Sequence, residues 1–293
     1  MDIEILIQIL ISGLLTGGLY ALIAFGLSLI YGVAHILNFA HGTLLVIAGI
    51  IASILATSLN VSPFISMLLI APAFFAFGYV FYRSLLNPLS KRNHVEKTVG
   101  TVLVTVGTLI VLNDVAIHLA GPQQRNIPSL GDTFEFGNVI LSAPQIYIFC
   151  GIAVLTFALE FFLRRSWLGM AVRAVTQNAA GARVVGIRSE QVNALTFAVG
   201  SALAAIAGIL YAMNYPVDPN LGLSFTVKAF TIIVFGGIGS LTGALTAGLI
   251  LGVAEALVAF FWGSEWAPAI SIILLFAVLL LFPQGVSSWR TSR

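Results

Sequence analysis

Long apolar stretches separated by short polar ones run along the whole chain. Residues 5–34, 191–217, 229–254 and 266–289 are among the regions that contain no charged side chain. A helix needs about 20 apolar residues to cross a bilayer, and backbone in lipid must satisfy its own hydrogen bonds, so such stretches predict transmembrane helices. With charges, prolines and glycines as boundaries, the predicted helices span residues 5–34, 39–59, 62–82, 98–118, 143–163, 190–214, 225–236, 240–262 and 266–283.

One of these helices is too short to assign with the rest. At 1.5 Å per residue, residues 225–236 extend about 18 Å, against about 30 Å of hydrocarbon. The segment therefore either crosses the membrane or enters partway and returns. We predict an all-α integral membrane protein, a polytopic bundle of eight or nine transmembrane helices that forms one domain over residues 1–293.

Composition excludes a soluble protein. Hydrophobic residues make up 59% of the chain and charged residues 8%, with a mean hydropathy of +1.05, whereas a soluble domain carries about 25% charged residues. The single cysteine, Cys150, excludes an internal disulfide. Asp2 and Glu4 open the chain without the basic region of a cleavable signal peptide, so we expect residues 5–34 to be retained.

Basic residues concentrate in three regions. Loops 83–97 and 164–188 and the C-terminal tail, with Arg290 and Arg293, hold eleven of the thirteen lysines and arginines. The positive-inside rule places these regions in the cytoplasm and the polar loop 119–142 on the extracytoplasmic side. Helix parity agrees only if residues 225–236 cross the membrane, so the charge count favours a crossing.

Few charged residues fall within the predicted helices. Asp114, Lys228 and Glu255 lie near predicted helix ends, and we interpret them as side chains that extend toward lipid headgroups. No two acidic residues lie together in the middle of a helix, as a proton relay requires. This weakens a proton-coupled transporter, although sodium coupling could use uncharged oxygens.

A polar break, residues 35–42, separates the first two predicted helices and contains His35, Asn38 and His41. Its side chains could face the headgroups, could cap the helix ends and hold the bend, or could line the substrate path. The sequence leaves all three interpretations open. A metal site is not expected, because no further ligand lies nearby in the sequence. Ser240 lacks the sequence context of an intramembrane serine nucleophile, so no catalytic residue is predicted.

The segment 168–187 lies in a predicted cytoplasmic loop. Asn178 could cap a short helix and Gly186 could end it. The helix between them, residues 179–185, contains only alanine, valine, glycine and one arginine. Such a helix either rests on the headgroups or docks into a partner protein.

Four stretches of the chain carry a resemblance: Gly17-Gly18-Leu19-Tyr20-Ala21-Leu22 with Gly26-Leu27, Leu37–Gly42, Arg173-Ala174 through Gly186-Ile187, and Lys228-Ala229-Phe230 with Gly236–Ala244. Together they resemble the membrane permeases of branched-chain (hydrophobic) amino-acid ABC importers. Phe282-Pro283-Gln284-Gly285 also resembles the terminal Pro-Gln-Gly of that family, whereas Gln177-Asn178 stand where its members commonly carry an acidic residue. Urea-type members carry a run similar to Arg173–Asn178.

The resemblance implies a permease subunit of an ATP-driven importer in the bacterial inner membrane, without catalytic activity or cofactor. Amino acids are the expected substrates; urea or a short amide, or a secondary transporter or channel, are the alternatives. The implied partners are ABC ATPase subunits, a second, related permease subunit, an extracytoplasmic binding protein and membrane lipid, but no nucleic acid. The sequence lacks a Gly-x4-Gly-Lys-[Ser/Thr] phosphate loop, so ATP must bind another chain.

The resemblance also implies two sets of site residues. The first would contact the ATPase, and the second would line the translocation path or form a helix break. The ATPase-coupling set is Gln177, Asn178, Ala179, Ala180, Ala182, Arg183 and Gly186, and the second set is Asn38, His41, Gly236, Gly237, Gly239 and Ser240.

Overall fold

The computed structural model describes residues 3–90, 92–121, 123–127, 133–136 and 139–281. A π-helix at Tyr82–Leu86 joins α3 to α4, and a 3-10 turn at Pro219–Leu221 leads into α10. The helices are α1 (Ile3–Ala34), α2 (His41–Leu59), α3 (Pro63–Phe81), α4 (Asn87–Leu89), α5 (His94–Ala120), α6 (Ala143–Arg165), α7 (Trp167–Gln177), α8 (Ala179–Val184), α9 (Ser189–Ala212), α10 (Gly222–Gly236), α11 (Leu241–Trp262) and α12 (Ala267–Leu281).

The predicted all-α membrane bundle is confirmed. Within the described residues, eight helices are long and apolar enough to cross a membrane, and α12 adds a shorter apolar helix. Loop 119–142 was predicted without regular structure, but it contains a two-stranded antiparallel hairpin of β1 (Thr133–Phe136) and β2 (Val139–Ser142). Lys91, the Phe282–Gly285 motif and the basic C-terminal tail lie outside the described residues.

The centre of the bundle is built on close backbone contacts of α1. A Cβ atom added to Gly17 would lie 2.7 Å from the carbonyl oxygen of Gly248 in α11, and one added to Gly26 would lie 2.6 Å from that of Gly200 in α9. Helices in lipid associate through such packing, which only small residues permit. Therefore α1 is held between α9 and α11, and α2 and α3 pack on α9.

The short predicted helix at 225–236 crosses the bundle. At its start, Val217 and Arg125 exchange two backbone hydrogen bonds of 2.7 and 3.0 Å, which ties the chain to loop 119–142. Beyond the C-terminal end of the segment, Gly239 lies against Gly32, which is near the C-terminal end of α1. The segment is longer than predicted because it begins earlier, at Pro219, and Pro219–Gly236 supplies 18 residues.

The two basic loops lie together at one end of the bundle. Arg83 and Asn87 line the same cavity as Arg183 and Arg188. Their shared position agrees with the predicted topology, in which this end faces the cytoplasm.

Candidate functional site

The loop 164–188 is folded into two helices that are anchored to the end of α6. Ser166 caps α7 by accepting a hydrogen bond from the Gly169 amide at 3.1 Å. The guanidinium group of Arg173 donates to the carbonyl oxygens of Leu163 at 2.5 Å and Arg164 at 3.4 Å. A cation at the carbonyl end of a helix satisfies groups that would otherwise lack partners. The loop is therefore a structured unit attached to the membrane helices.

The short helix α8 ends one residue before the predicted limit of 179–185. The Oδ1 atom of Asn178 accepts a hydrogen bond from the Gly181 amide at 2.9 Å, which starts α8. Gly186 has φ of +87°, a conformation that favours glycine, and it lies two residues after the end of α8. Gln177 ends α7, so Asn178 separates two helices in contact.

Most of the predicted coupling residues are accessible, with one exception. Gln177, Asn178, Ala179, Ala180, Arg183 and Gly186 are exposed. The exception is Ala182, which is 4% exposed and packs against the chain's own apolar cluster. Its assignment to the docking surface is wrong, because its side chain seats α8 on the protein.

Two exposed residues were absent from the predicted set. Val184 is 88% exposed and Val185 is 74% exposed, although both are apolar residues in loop 164–188. Helical spacing was the available signal: once Ala182 faces inward, Ala180 and Val184 must lie on other sides of a six-residue helix. The outward surface of α8 is thus small and apolar, and Arg183 is the single charged residue of the helix.

The helices α7 and α8 pack directly onto membrane-spanning ones. Val33 of α1, Ala171 and Val175 of α7, Ala182 of α8 and Val192 of α9 form one buried cluster. Packed side chains therefore connect α8 to the ends of α1 and α9.

The polar break lies deep in the bundle. Asn38 and His41 are both 0% exposed, so the interpretation that they face headgroups is wrong; only His35 is exposed. A ring nitrogen of His41, Nε2, donates to the carbonyl oxygen of Ile23 at 3.0 Å. Ile23 lies eleven residues before the end of α1, about 16 Å along the helix axis. The chain therefore turns back into the protein before α2 begins.

Side chains from several elements hold this returning segment. Asn38 Oδ1 accepts from the Ala40 amide at 3.2 Å, and the hydroxyls of Thr105 and Thr226 donate to the carbonyl oxygens of Leu37 at 3.1 Å and Phe39 at 3.0 Å. These bonds favour the interpretation in which Asn38 and His41 hold the bend. Within the described residues, Asn38 Nδ2 and His41 Nδ1 are buried without a hydrogen-bond partner.

The second predicted break joins α10 to α11. Gly237 and Gly239 have φ of +90° and +78°, so the chain reverses through conformations that favour glycine. Ser240 caps α11 by accepting from the Gly243 amide at 3.0 Å. Gly236 lies so close to Gly243 that neither position has room for a side chain. The helix break is thus formed by the residues predicted for it.

One residue of the predicted ATPase-coupling set and one of the predicted translocation-path set line the same cleft. This cleft of about 330 Å³ is lined by Gln177 of α7 and Gly239 of the α10–α11 break, together with Ser28 and Gly32 of α1. Asn38 and His41 lie elsewhere, in the interior beside the middle of α1.

A buried ion pair was missed by the sequence analysis. Lys228 Nζ lies 2.8 Å from Glu255 Oε2, and the two side chains are 12% and 7% exposed. Tyr20 donates to the same oxygen at 2.8 Å, and Ser271 donates to Oε1 at 2.6 Å. The headgroup interpretation of Lys228 and Glu255 is therefore wrong, whereas Asp114 is 73% exposed. The available signal was two opposite charges in separate apolar helices, which need partners in lipid.

Comparison with known proteins places these features in a family. A family model described as "Branched-chain amino acid transport system / permease component" matches residues 9–282. The permease protein BraD of a high-affinity branched-chain amino acid transport system, from Pseudomonas aeruginosa, is 37% identical over 96% of this chain and 95% of BraD. The corresponding LivH of Salmonella typhimurium is 35% identical over 96% and 94% of the two chains.

More distant similarities extend to another substrate and to a solved structure. The autoinducer 2 import system permease LsrC of Photorhabdus laumondii is 28% identical over 80% of this chain and 70% of LsrC. A chain of PsaBC from Streptococcus pneumoniae, solved in complex with a Fab, aligns with a TM-score of 0.50 and 10% identity over 93% of this chain and 91% of that chain. The latter similarity concerns the fold alone.

Proposed function

Since the chain belongs to the family of branched-chain amino acid transport permease components, we propose that it is the membrane-spanning subunit of an ATP-driven importer of these amino acids. The observation that carries the proposal is similarity along almost the full length to BraD and LivH, at 37% and 35% identity, both named for this transport. The urea alternative is not favoured by these relatives. LsrC indicates that related permeases also serve systems for other substrates.

The chain is a multi-pass membrane protein, and we place it in the bacterial inner membrane. A permease component implies the other parts of a transport system. We propose ABC ATPase subunits on the side of loops 83–97 and 164–188, an extracytoplasmic binding protein on the side of loop 119–142, and a second, related permease chain beside this one. ATP hydrolysis would belong to the ATPase subunits, because this sequence has no phosphate loop.

The surface we assign to the ATPase is the outward side of α8, formed by Ala179, Ala180 and Val184, whereas Arg183 lines a cavity behind the helix. Its support is twofold: an 88% exposed valine lies in a polar loop, and a cluster of packed residues joins α8 to α1 and α9. Small apolar side chains fit a cleft that a long charged side chain could not enter. Closure of the ATPase would then move α8, and the packed helices would follow as a rigid body.

The test is reconstitution with the candidate ATPase, second permease and binding protein in vesicles. Leucine, isoleucine or valine on the binding protein should stimulate ATP hydrolysis, and urea should not. Stimulation by urea alone would overturn the substrate assignment while leaving the permease assignment intact.

In the same assay, Val184→Glu and Ala180→Glu should abolish stimulation and ATPase copurification. Each places an unpaired charge in the interface, and a loss of several kcal/mol corresponds to a drop in affinity of about a hundredfold or more. Val95→Glu is the matched control, because Val95 is 71% exposed at the same end of the bundle but outside α8. Intact coupling in both α8 variants would mean that α8 lies on the headgroups instead.

A further inference from the structure

A basic cavity lies behind α8, where the cytoplasmic loops meet the bundle. Its volume is about 630 Å³. The π-helix and the start of α4 form one wall, and the end of α8 with its connection to α9 forms the other. The side chains that characterise it are Tyr82, Arg83, Asn87, Arg183, Arg188 and Glu190.

The charges that line this cavity are unbalanced. Three arginines face one glutamate, Glu190, and all four are exposed. Arg83 donates to the hydroxyl of Tyr79 at 2.9 Å. Across the described part of the chain, none of the three arginines lies within ion-pair distance of an acidic side chain. The cavity therefore has an excess of hydrogen-bond donors suited to an anion.

The position of the cavity relative to the membrane indicates which kind of anion it would bind. Tyr82 and Asn87 belong to the membrane-spanning segment Pro63–Leu89, so the cavity opens at the level where that segment leaves the membrane. On the same segment, Val80 is 61% exposed. Val80 lies one turn before Arg83, so an apolar surface leads directly to the basic one. A molecule with a phosphate group and acyl chains would fit both.

We propose that this cavity binds the headgroup of an anionic phospholipid from the cytoplasmic leaflet. Arg83, Arg183 and Arg188 contact the phosphate, and the acyl chains lie along Val80. Basic pockets at the cytoplasmic side of membrane helices are suited to such headgroups. The lipid would bridge the π-helix and the α8–α9 connection, and so brace the helix that we assign to the ATPase contact.

The experiment uses the isolated complex in nanodiscs of phosphatidylcholine with a small fraction of diazirine-labelled phosphatidylglycerol. Crosslinked peptides, identified by mass spectrometry, should come from residues 79–90 and 183–194. Unlabelled phosphatidylglycerol should compete, whereas phosphatidylcholine and inorganic phosphate should not. Combining Arg83→Gln, Arg183→Gln and Arg188→Gln should lower this labelling at least tenfold.

Arg92→Gln with Arg165→Gln is the control, because both residues are basic and lie at the same end of the bundle but outside the cavity. It should leave labelling unchanged. Arg188→Gln alone should lower labelling roughly fivefold, which keeps the test decisive if the triple variant does not fold. Equal labelling in the variants, or competition by phosphatidylcholine, would overturn the site. Competition by inorganic phosphate would assign it to a soluble anion. Loss of ATPase binding without any lipid labelling would assign it to the protein partner.

Discussion

At the scale of single residues, the buried ion pair is the most demanding feature of the bundle. A charged side chain at the centre of a membrane helix costs about 2.5–3.5 kcal/mol on insertion scales. Here the opposite charges of Lys228 and Glu255 neutralise each other. The hydroxyls of Tyr20 and Ser271 donate further hydrogen bonds to the two carboxylate oxygens of Glu255. Lys228 Nζ also lies 4.3 Å from the centroid of the Tyr20 ring, a favourable cation–π contact. The four side chains connect α1, α10, α11 and α12.

We predict that Glu255→Gln destabilises the protein by about 3–5 kcal/mol, because it leaves the Lys228 ammonium buried without an opposite charge. Lys228→Met should have a similar effect. The double variant Lys228→Met, Glu255→Gln should regain most of the lost stability, because no buried charge remains. Thermal unfolding in detergent, analysed as a double-mutant cycle, measures the coupling.

Asp114→Asn is the control for this cycle. Asp114 pairs with His118 at 3.8 Å, but the two side chains are 73% and 78% exposed, and exposed pairs contribute at most about 1 kcal/mol. Simple additivity of the two single substitutions at Lys228 and Glu255 would contradict a direct interaction.

At the scale of secondary structure, the reversal between α10 and α11 depends on backbone conformation. Gly239 has φ of +78°, and a Cβ added there would lie 3.7 Å from the Cα of Gly32, an ordinary contact. A side-chain carbon would therefore fit at this position. Glycine is favoured there because of the positive backbone angle φ.

Gly239→Ala should accordingly destabilise the protein by about 1–2 kcal/mol. Gly151→Ala is the matched control: Gly151 lies within α6, and an added Cβ would meet nothing within 4 Å. Alanine is the better helix former, so this control should be neutral or slightly stabilising. Thermal unfolding of both variants in detergent measures the difference. Equal effects would exclude backbone strain as the reason for glycine at position 239.

The helices could be predicted from the sequence because their signal is local. Apolar length, Asn178 as a cap and Gly186 as a stop can each be read within a few residues. The contacts between distant residues could not be predicted in this way. Lys228 meets Tyr20 across 208 residues and His41 meets Ile23 across a turn that no pattern specifies. The inward orientation of Ala182 likewise depends on Val33 and Val192.

At the scale of the whole molecule, the orientation of the bundle in the membrane decides which side the two basic loops face. The cavity shared by these loops places them on one side, and the backbone pairing of Arg125 with Val217 places loop 119–142 on the other. The positive-inside rule then makes the first side cytoplasmic.

In intact cells that carry Cys150→Ser, Gln124→Cys should react with an impermeant maleimide, because Gln124 is exposed beside Arg125. Arg92→Cys and Gln177→Cys are also exposed positions, but they should react only after permeabilisation. The opposite pattern would reverse the orientation and would remove α8 from the reach of any cytoplasmic ATPase.

The returning segment between α1 and α2 also constrains the order in which the protein can assemble. Its Phe39 carbonyl is satisfied by Thr226, which lies 187 residues further along the chain. At about 5–20 residues per second, the ribosome completes Thr226 roughly 10 to 40 seconds after Phe39. Until then, a buried Phe39 carbonyl would lack this donor, and such groups are costly in lipid. We therefore expect residues 35–40 to stay in contact with water while α1 and α2 insert into the membrane. They would reach their buried position only after α10 has been synthesised and packs against them.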